Sequence, residues 1–169
     1  MRKRFVIEAV MIAVYGEMLV PSQAVEYLVP YTTISELYEM IESKEPVMPL
    51  SIDEAHVRSK ISELIAMLEE PFNKKKLERA LATPWGKSPP LPFNDNVSFT
   101  VVNAYDNTEY GEEFDPIETE LILTSLREKA PIMTDQPDLV DRIIEARISV
   151  HIFDMDDFEF AVEEDANPV

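Results

Sequence analysis

The chain has 169 residues, 46% of them hydrophobic and none of them cysteine, and a formal net charge of −18. This length suits one folded domain, the apolar share is too high for disorder, and the lack of cysteine excludes disulfides, thiolate metal sites and thiol nucleophiles. The charge is uneven: residues 101–169 hold 4 basic and 19 acidic side chains, a net of −15, against −3 for residues 1–100. A generic nucleic-acid binder has the opposite sign. The balance reads either as a solvated acidic surface or as acid gathered around a metal or facing a basic partner.

Met1-Arg2-Lys3-Arg4 and the apolar stretch after it have the outline of a secretion signal. Glu8 interrupts that stretch and no small-residue cleavage site follows, so residues 4–15 read instead as a buried strand continuing into a helix or turn. No run approaches the roughly 18 apolar residues of a membrane helix, and a cysteine-free chain of this kind is expected to be soluble and cytoplasmic. Pro21-Ser22 is expected to open a short helical piece over residues 22–27, and Tyr27-Leu28-Val29 to form a second strand. Pro30 leads into a helix over residues 34–42, with Thr33 or Ser35 as candidate caps. Residues 43–52 read as a loop. Asp53–Glu70 reads as an amphipathic helix with Val57, Ile61, Leu64, Ile65 and Leu68 on one face. A further helix follows Pro71. Residues 83–96, with several prolines and Trp85, are expected to be a long irregular loop.

Val97–Asn103 reads as a strand, residues 104–114 as polar and turn-rich, and Asp115-Pro116-Ile117-Glu118 as the start of a helix reaching about Glu128. Pro131–Met133 is a short strand, Asp138–Ala146 a helix, and Val150–Phe153 a strand. Residues 156–169 are an acidic C-terminal tail with a short helix and a frayed end, beyond a single domain spanning residues 1–155. Strands alternating with helices predict an α/β fold of three layers, α/β/α, with a mostly parallel central sheet. Sites in such sheets lie at the carboxyl ends of the strands, near the switch in strand order.

Most chemistries close quickly. Three glycines and no phosphate-loop motif argue against nucleotide cradles. His56 and His151 have no metal-ligand spacing; His56 reads as exposed and His151 as a structural residue of an apolar strand. What remains is carboxylates at βα junctions: Glu8, Glu36, Asp115, Glu118 and Asp135. Glu8 interrupts a core segment, where a charge is costly unless paired, protonated or bound to a cation. Clustered carboxylates repel one another, and Mg²⁺ or a similar hard ion is the natural offset. Plainer roles stand beside this one: Asp115 and Glu118 make a helix-capping box with Pro116 at the first helical position, Glu36 suits a helix surface, and Asp135 suits a turn.

The arrangement resembles the PIN domain, a family of Mg²⁺- or Mn²⁺-dependent ribonucleases, across residues 4–153. The resemblance rests on Val6-Ile7-Glu8-Ala9-Val10-Met11-Ile12, on Leu28-Val29-Pro30 with Glu36-Leu37, on Asp115-Pro116-Ile117-Glu118-Thr119-Glu120, and on Ile132-Met133-Thr134-Asp135. It implies one or two Mg²⁺ or Mn²⁺ ions held by Glu8, Glu36, Glu118 or Asp115, and Asp135, with a metal-bound water attacking an RNA phosphodiester. Arg2, Lys3, Arg4, Lys74, Lys75, Lys76 and Arg79 would then guide the RNA backbone, although the lysine run also suits a solvated helix face. The chain departs from the family pattern at four points. Glu8 stands where aspartate is usual, Val10 where a polar residue supports the site, Ile117 where one branch has glycine, and Gln136 in one register of the final acid. Those departures carry a second expectation: a PIN-like protein-binding or regulatory module without nuclease activity, whose acidic half meets a basic protein partner.

Overall fold

The structure is a computed structural model that describes residues 3–48, 50–105 and 112–164. Its strands are β1 (Lys3–Val6), β2 (Val25–Pro30), β3 (Leu91–Pro92), β4 (Val97–Val102), β5 (Ile132–Met133) and β6 (Ile152–Phe153). Its α-helices are α1 (Ala9–Val14), α2 (Tyr31–Glu42), α3 (Ser51–Glu69), α4 (Pro71–Ala80), α5 (Pro116–Glu128), α6 (Pro137–Glu145) and α7 (Met155–Glu164). The strands form one sheet in the order β3-β4-β2-β1-β5-β6, with every pairing parallel except that of β3 with β4. The expected α/β architecture, three layers around a mostly parallel sheet, is what the chain adopts.

Side-chain alternation along the strands builds the layers. Phe5, Val25, Tyr27, Val29, Val97, Phe99 and Val101 point to one face and pack with α1, α2, α3, α4 and α7. Val6, Leu28 and Ile132 belong to the other core, under α5 and α6. Both faces are covered, which is why the strands read as nearly continuous apolar runs. The predicted face of α3 is the buried one: Val57, Ile61, Leu64 and Leu68 are all under 5% exposed. Ile61→Ala should therefore cost about 2–5 kcal/mol, read as a lower urea midpoint with an unchanged slope.

Several local expectations are corrected. Residues 22–27 do not form a helical piece. A 3-10 turn spans Gly16–Leu19, and β2 already begins at Val25, because Val25 and Tyr27 pair in register with Lys3 and Phe5 on one side and Val97 and Phe99 on the other. Neither Thr33 nor Ser35 caps α2, which starts at Tyr31 with Pro30 as its N-cap. The Thr33 hydroxyl instead donates to the Pro30 carbonyl at 2.9 Å and accepts from the Ala9 amide at 3.2 Å, tying the starts of α1 and α2 together. Residues 83–96 are not wholly irregular. Leu91–Pro92 forms an antiparallel edge strand on β4, and Ser88 exchanges hydrogen bonds with Val101. Proline is tolerated there because an edge strand need donate on one side only. Just before it, Gly86 passes so close to α4 that a Cβ would lie 2.1 Å from the Ala80 carbonyl oxygen.

The acidic C-terminal stretch does carry a helix, and that helix is packed. In α7, Phe158 and Val162 are buried, and the Phe158 ring meets Phe5 edge-on at 5.2 Å between centroids. The turn-rich reading of residues 104–114 falls partly on residues 106–111, outside the described residues, as does the frayed end at 165–169. Among the described residues, no helix is long and apolar enough to cross a membrane.

Candidate carboxylate site

Strand order reverses between β1 and β5: the chain moves outward from β1 through β2 to β4, then returns to the other side of β1 for β5 and β6. The carboxyl ends of β1 and β5 therefore frame the crevice where α/β sheets place their sites. Glu8 lies two residues beyond β1 and Asp135 two residues beyond β5. Both line one cavity of ≈ 80 Å³, together with Val10, Met11, Met133 and Thr134. That space suits a few water molecules.

Glu8 does not sit inside a strand, as its apolar surroundings suggested. β1 ends at Val6, and Glu8 is the extended N-cap residue of α1, with no capping bond from its own side chain. Its carboxyl group is pushed up to about 7, first by burial and then by the negative charges of Glu36, Asp115, Asp135 and Glu118, in that order. The fold thus brings the other four sequence-predicted acids within electrostatic reach of the Glu8 carboxyl group. Burial, with the charges of Glu39 and Asp115, also raises Glu36. A carboxyl group that titrates near neutrality in a crevice can hold or release a proton at working pH.

The other acids are engaged. The Asp115 carboxylate accepts from the Glu118 amide at 2.7 Å, and the Glu118 carboxylate accepts from the Asp115 amide at 3.0 Å, so the predicted capping box forms at the start of α5. Glu118 is 8% exposed and also takes Arg142 on both oxygens, at 2.7 and 2.5 Å. That pairing holds Glu118 below the usual carboxylate range against the opposing effect of burial. Arg142 is held in turn by Asp138 at 2.9 Å and by the Glu113 carbonyl at 3.2 Å, and its guanidinium lies over the Phe114 ring at 5.4 Å. Asp135 is exposed and accepts from the Tyr15 hydroxyl at 2.8 Å. Thr32, at the start of α2, donates to Glu120 at 3.1 Å and so fastens α2 to α5 beside the cluster.

Mg²⁺ or Mn²⁺ requires several oxygen donors turned to one point. Among the described residues, no group of three or more histidine, aspartate or glutamate side chains is placed to hold a metal ion. Glu118 already spends both oxygens on Arg142. Among the described residues the donors share a field without forming a ligand set.

No protein-family model matches the chain, and no curated protein matches it.

The residues expected to guide RNA lie elsewhere. Lys3 and Arg4 open β1, at the end of the sheet opposite Glu8, and Arg4 is paired with Glu26 at 3.3 Å and Glu128 at 2.9 Å. Arg2 is outside the described residues. Lys74, Lys75 and Arg79 occupy the exposed face of α4, and Lys74 pairs with Glu69. His56 is exposed as expected, whereas His151 is exposed just before β6 and is not a core residue. Sequence reasoning missed Arg142 and Tyr15. Arg142 had a signal: it is one of only 4 basic residues after position 100.

Proposed function

We propose that this chain is a PIN-like α/β domain acting as a protein-binding or regulatory module without nuclease activity. The observation that carries this reading is the Arg142–Glu118 pair. The cluster already contains a cation, fixed by four oxygen contacts, where a metal-dependent nuclease needs open carboxylates. The net charge of −15 over residues 101–169 adds support, because it repels RNA and attracts a basic protein surface. A cytoplasmic location belongs to the same proposal, and the cysteine-free composition is consistent with it.

Calorimetric titration of Mn²⁺ into the wild-type protein tests the reading. The expected result is no saturable binding, and no cleavage of single-stranded RNA in Mg²⁺ or Mn²⁺. Tight binding that disappears in Glu36→Gln would overturn it.

One observation favours a second reading, a Mg²⁺- or Mn²⁺-dependent ribonuclease. Burial first, and then four neighbouring acids, raise Glu8, and an entering cation would relieve the repulsion. The same titration decides between the two.

A further inference from the structure

Of the eight phenylalanines, two are exposed: Phe72 on α4, at 71%, and Phe160 on α7, at 68%. A single exposed ring needs no partner. What sets these two apart is the charge around each. On α4, Lys75, Lys76 and Arg79 stand three, four and seven residues after Phe72, and so share its side of the helix. Asn73, Leu77 and Ala80 turn inward instead. The one acid of α4, Glu78, lies to the side, along a groove with Tyr31 and Leu81. Lys74 pairs with Glu69, but Lys75, Lys76 and Arg79 form no ion pair with a described residue.

On α7 the signs are reversed. Asp156 and Asp157 stand four and three residues before Phe160, and Glu163 three after it, on the side away from the buried Phe158 and Val162. All three acids are exposed, and α7 holds no basic residue. Asp157 accepts from the Asp154 amide at 3.0 Å, which leaves its charge uncompensated. None of Asp154, Asp156, Asp157 and Glu163 forms an ion pair with a described residue. The molecule thus carries two short helical faces of matching form and opposite charge, each built around one exposed phenylalanine.

We infer that α4 of one copy docks on α7 of a second copy of this chain, with the helices antiparallel and Phe72 against Phe160. The spacing sets the register. With the two rings opposed, Lys75 and Lys76 fall opposite Asp157 and Asp156, and Arg79 falls toward Asp154. Glu163 then falls near Glu69, whose charge Lys74 offsets. Charge also selects head-to-tail docking: residues 1–100 carry a net −3 and residues 101–169 a net −15, so pairing two acidic halves is opposed. The contact is heterologous, because different patches of the two copies meet. A nucleic-acid strand suits α4 less well. The basic face is only about 10 Å long at 1.5 Å per residue, and a strand running past it meets a chain of net charge −18. This inference rests on the protein-binding reading and names a second copy as the partner of the acidic half.

The test is sedimentation velocity on the full chain from about 10 μM to about 1 mM, the range in which a contact below standard interface size associates. The mean mass of the wild type should rise with concentration. Lys76→Glu and Asp156→Lys, each alone, should weaken association about tenfold or more, because each turns an attraction into a repulsion. An equimolar mixture of the two variants should associate again, since Glu at position 76 then meets Lys at position 156. Phe72→Ser and Phe160→Ser should each weaken association about tenfold or more. Ile144→Ser, which alters an equally exposed apolar residue on α6, should leave it unchanged. Circular dichroism checks that each variant folds. A wild type that stays monomeric overturns the inference, and oligonucleotide binding lost in Lys76→Glu would then give the α4 face to nucleic acid. Association that survives either charge reversal, or a mixture that stays monomeric, overturns it too. The Mn²⁺ titration is independent of all these results, so a monomeric protein that binds no Mn²⁺ sinks this inference and leaves the module reading standing.

Discussion

Arg142→Gln is expected to destabilise the protein and, at the same time, to raise its affinity for divalent cations. The guanidinium is the partner of a buried Glu118 carboxylate, and removing it strands that charge among Glu8, Asp115 and Asp135. Breaking a fully buried pair from one side costs about 3–5 kcal/mol. Arg142 retains 29% of its side-chain exposure, so about 2 kcal/mol is the better expectation here. The sign with pH follows from Glu118. Its folded-state pKa is depressed, so the pair contributes stability above the ordinary value of 4.5 and loses it as pH falls through the lower folded value. Urea unfolding at pH 7.5 should show the full loss in Arg142→Gln, and the loss should shrink progressively as the pH falls below 4.5. Adding Glu118→Gln to Arg142→Gln should restore most of the stability, because no carboxylate is then left unpaired. Mn²⁺ should raise the melting temperature of Arg142→Gln and not that of the wild type. Equal responses of the two proteins to Mn²⁺ would show that Arg142 is not the cation of this cluster.

The second large effect is of opposite sign: Glu8→Gln is expected to stabilise the protein above neutral pH. Glu8 in the folded state titrates near 7, against an ordinary value of 4.5, because burial and four acidic neighbours oppose its charge. Below 4.5 the carboxyl group is protonated in both states and costs nothing. Between 4.5 and 7 the unfolded chain releases its proton while the folded chain keeps it, so stability falls as pH rises. Above about 7 the loss is complete, at most about 3 kcal/mol on a scale of 1.36 kcal/mol per unit. Glutamine keeps the shape and removes the titration. The wild type should therefore lose stability between pH 4.5 and 7 relative to Glu8→Gln, and the variant should be about 1–3 kcal/mol more stable at pH 8. Parallel stability curves for the two proteins across that window would overturn the account.

What could be read from the sequence was what local periodicity encodes. The face of α3, the parallel strands at Leu28 and Val101, and the capping box at Asp115 and Glu118 are all short-range patterns, and the fold keeps them. The segment at residues 85–92 was misread because its prolines lower strand propensity, while its actual role, bonding one edge of β4, depends on a neighbour and not on its own composition. Within the site, βα-junction placement found Glu8 and the four acids whose charges reach it. It could not find their charge states, because these are set across long intervals. Glu118 is neutralised from 24 residues away, and Asp135 is bonded by a tyrosine 120 residues away. A carboxylate's neighbours in sequence do not report its counter-ion in space.

The pairing of β1 also bears on how the molecule is made. Its inner position joins the first residues of the chain to some of the last: Val6 pairs with Ile132, Arg4 clasps Glu128, and Phe5 packs on Phe158. Contacts so distant in sequence form late, because a long loop must close before they repay it. On the ribosome β1 and β2 can zip together early, yet β1 keeps an open flank until β5 is synthesised, and Phe5 and Tyr27 lack their cover until Phe158 has left the exit tunnel. Between the synthesis of β1 and that of α7 the nascent chain carries an unfinished sheet edge and an uncovered aromatic cluster, the kind of exposed surface that favours aggregation.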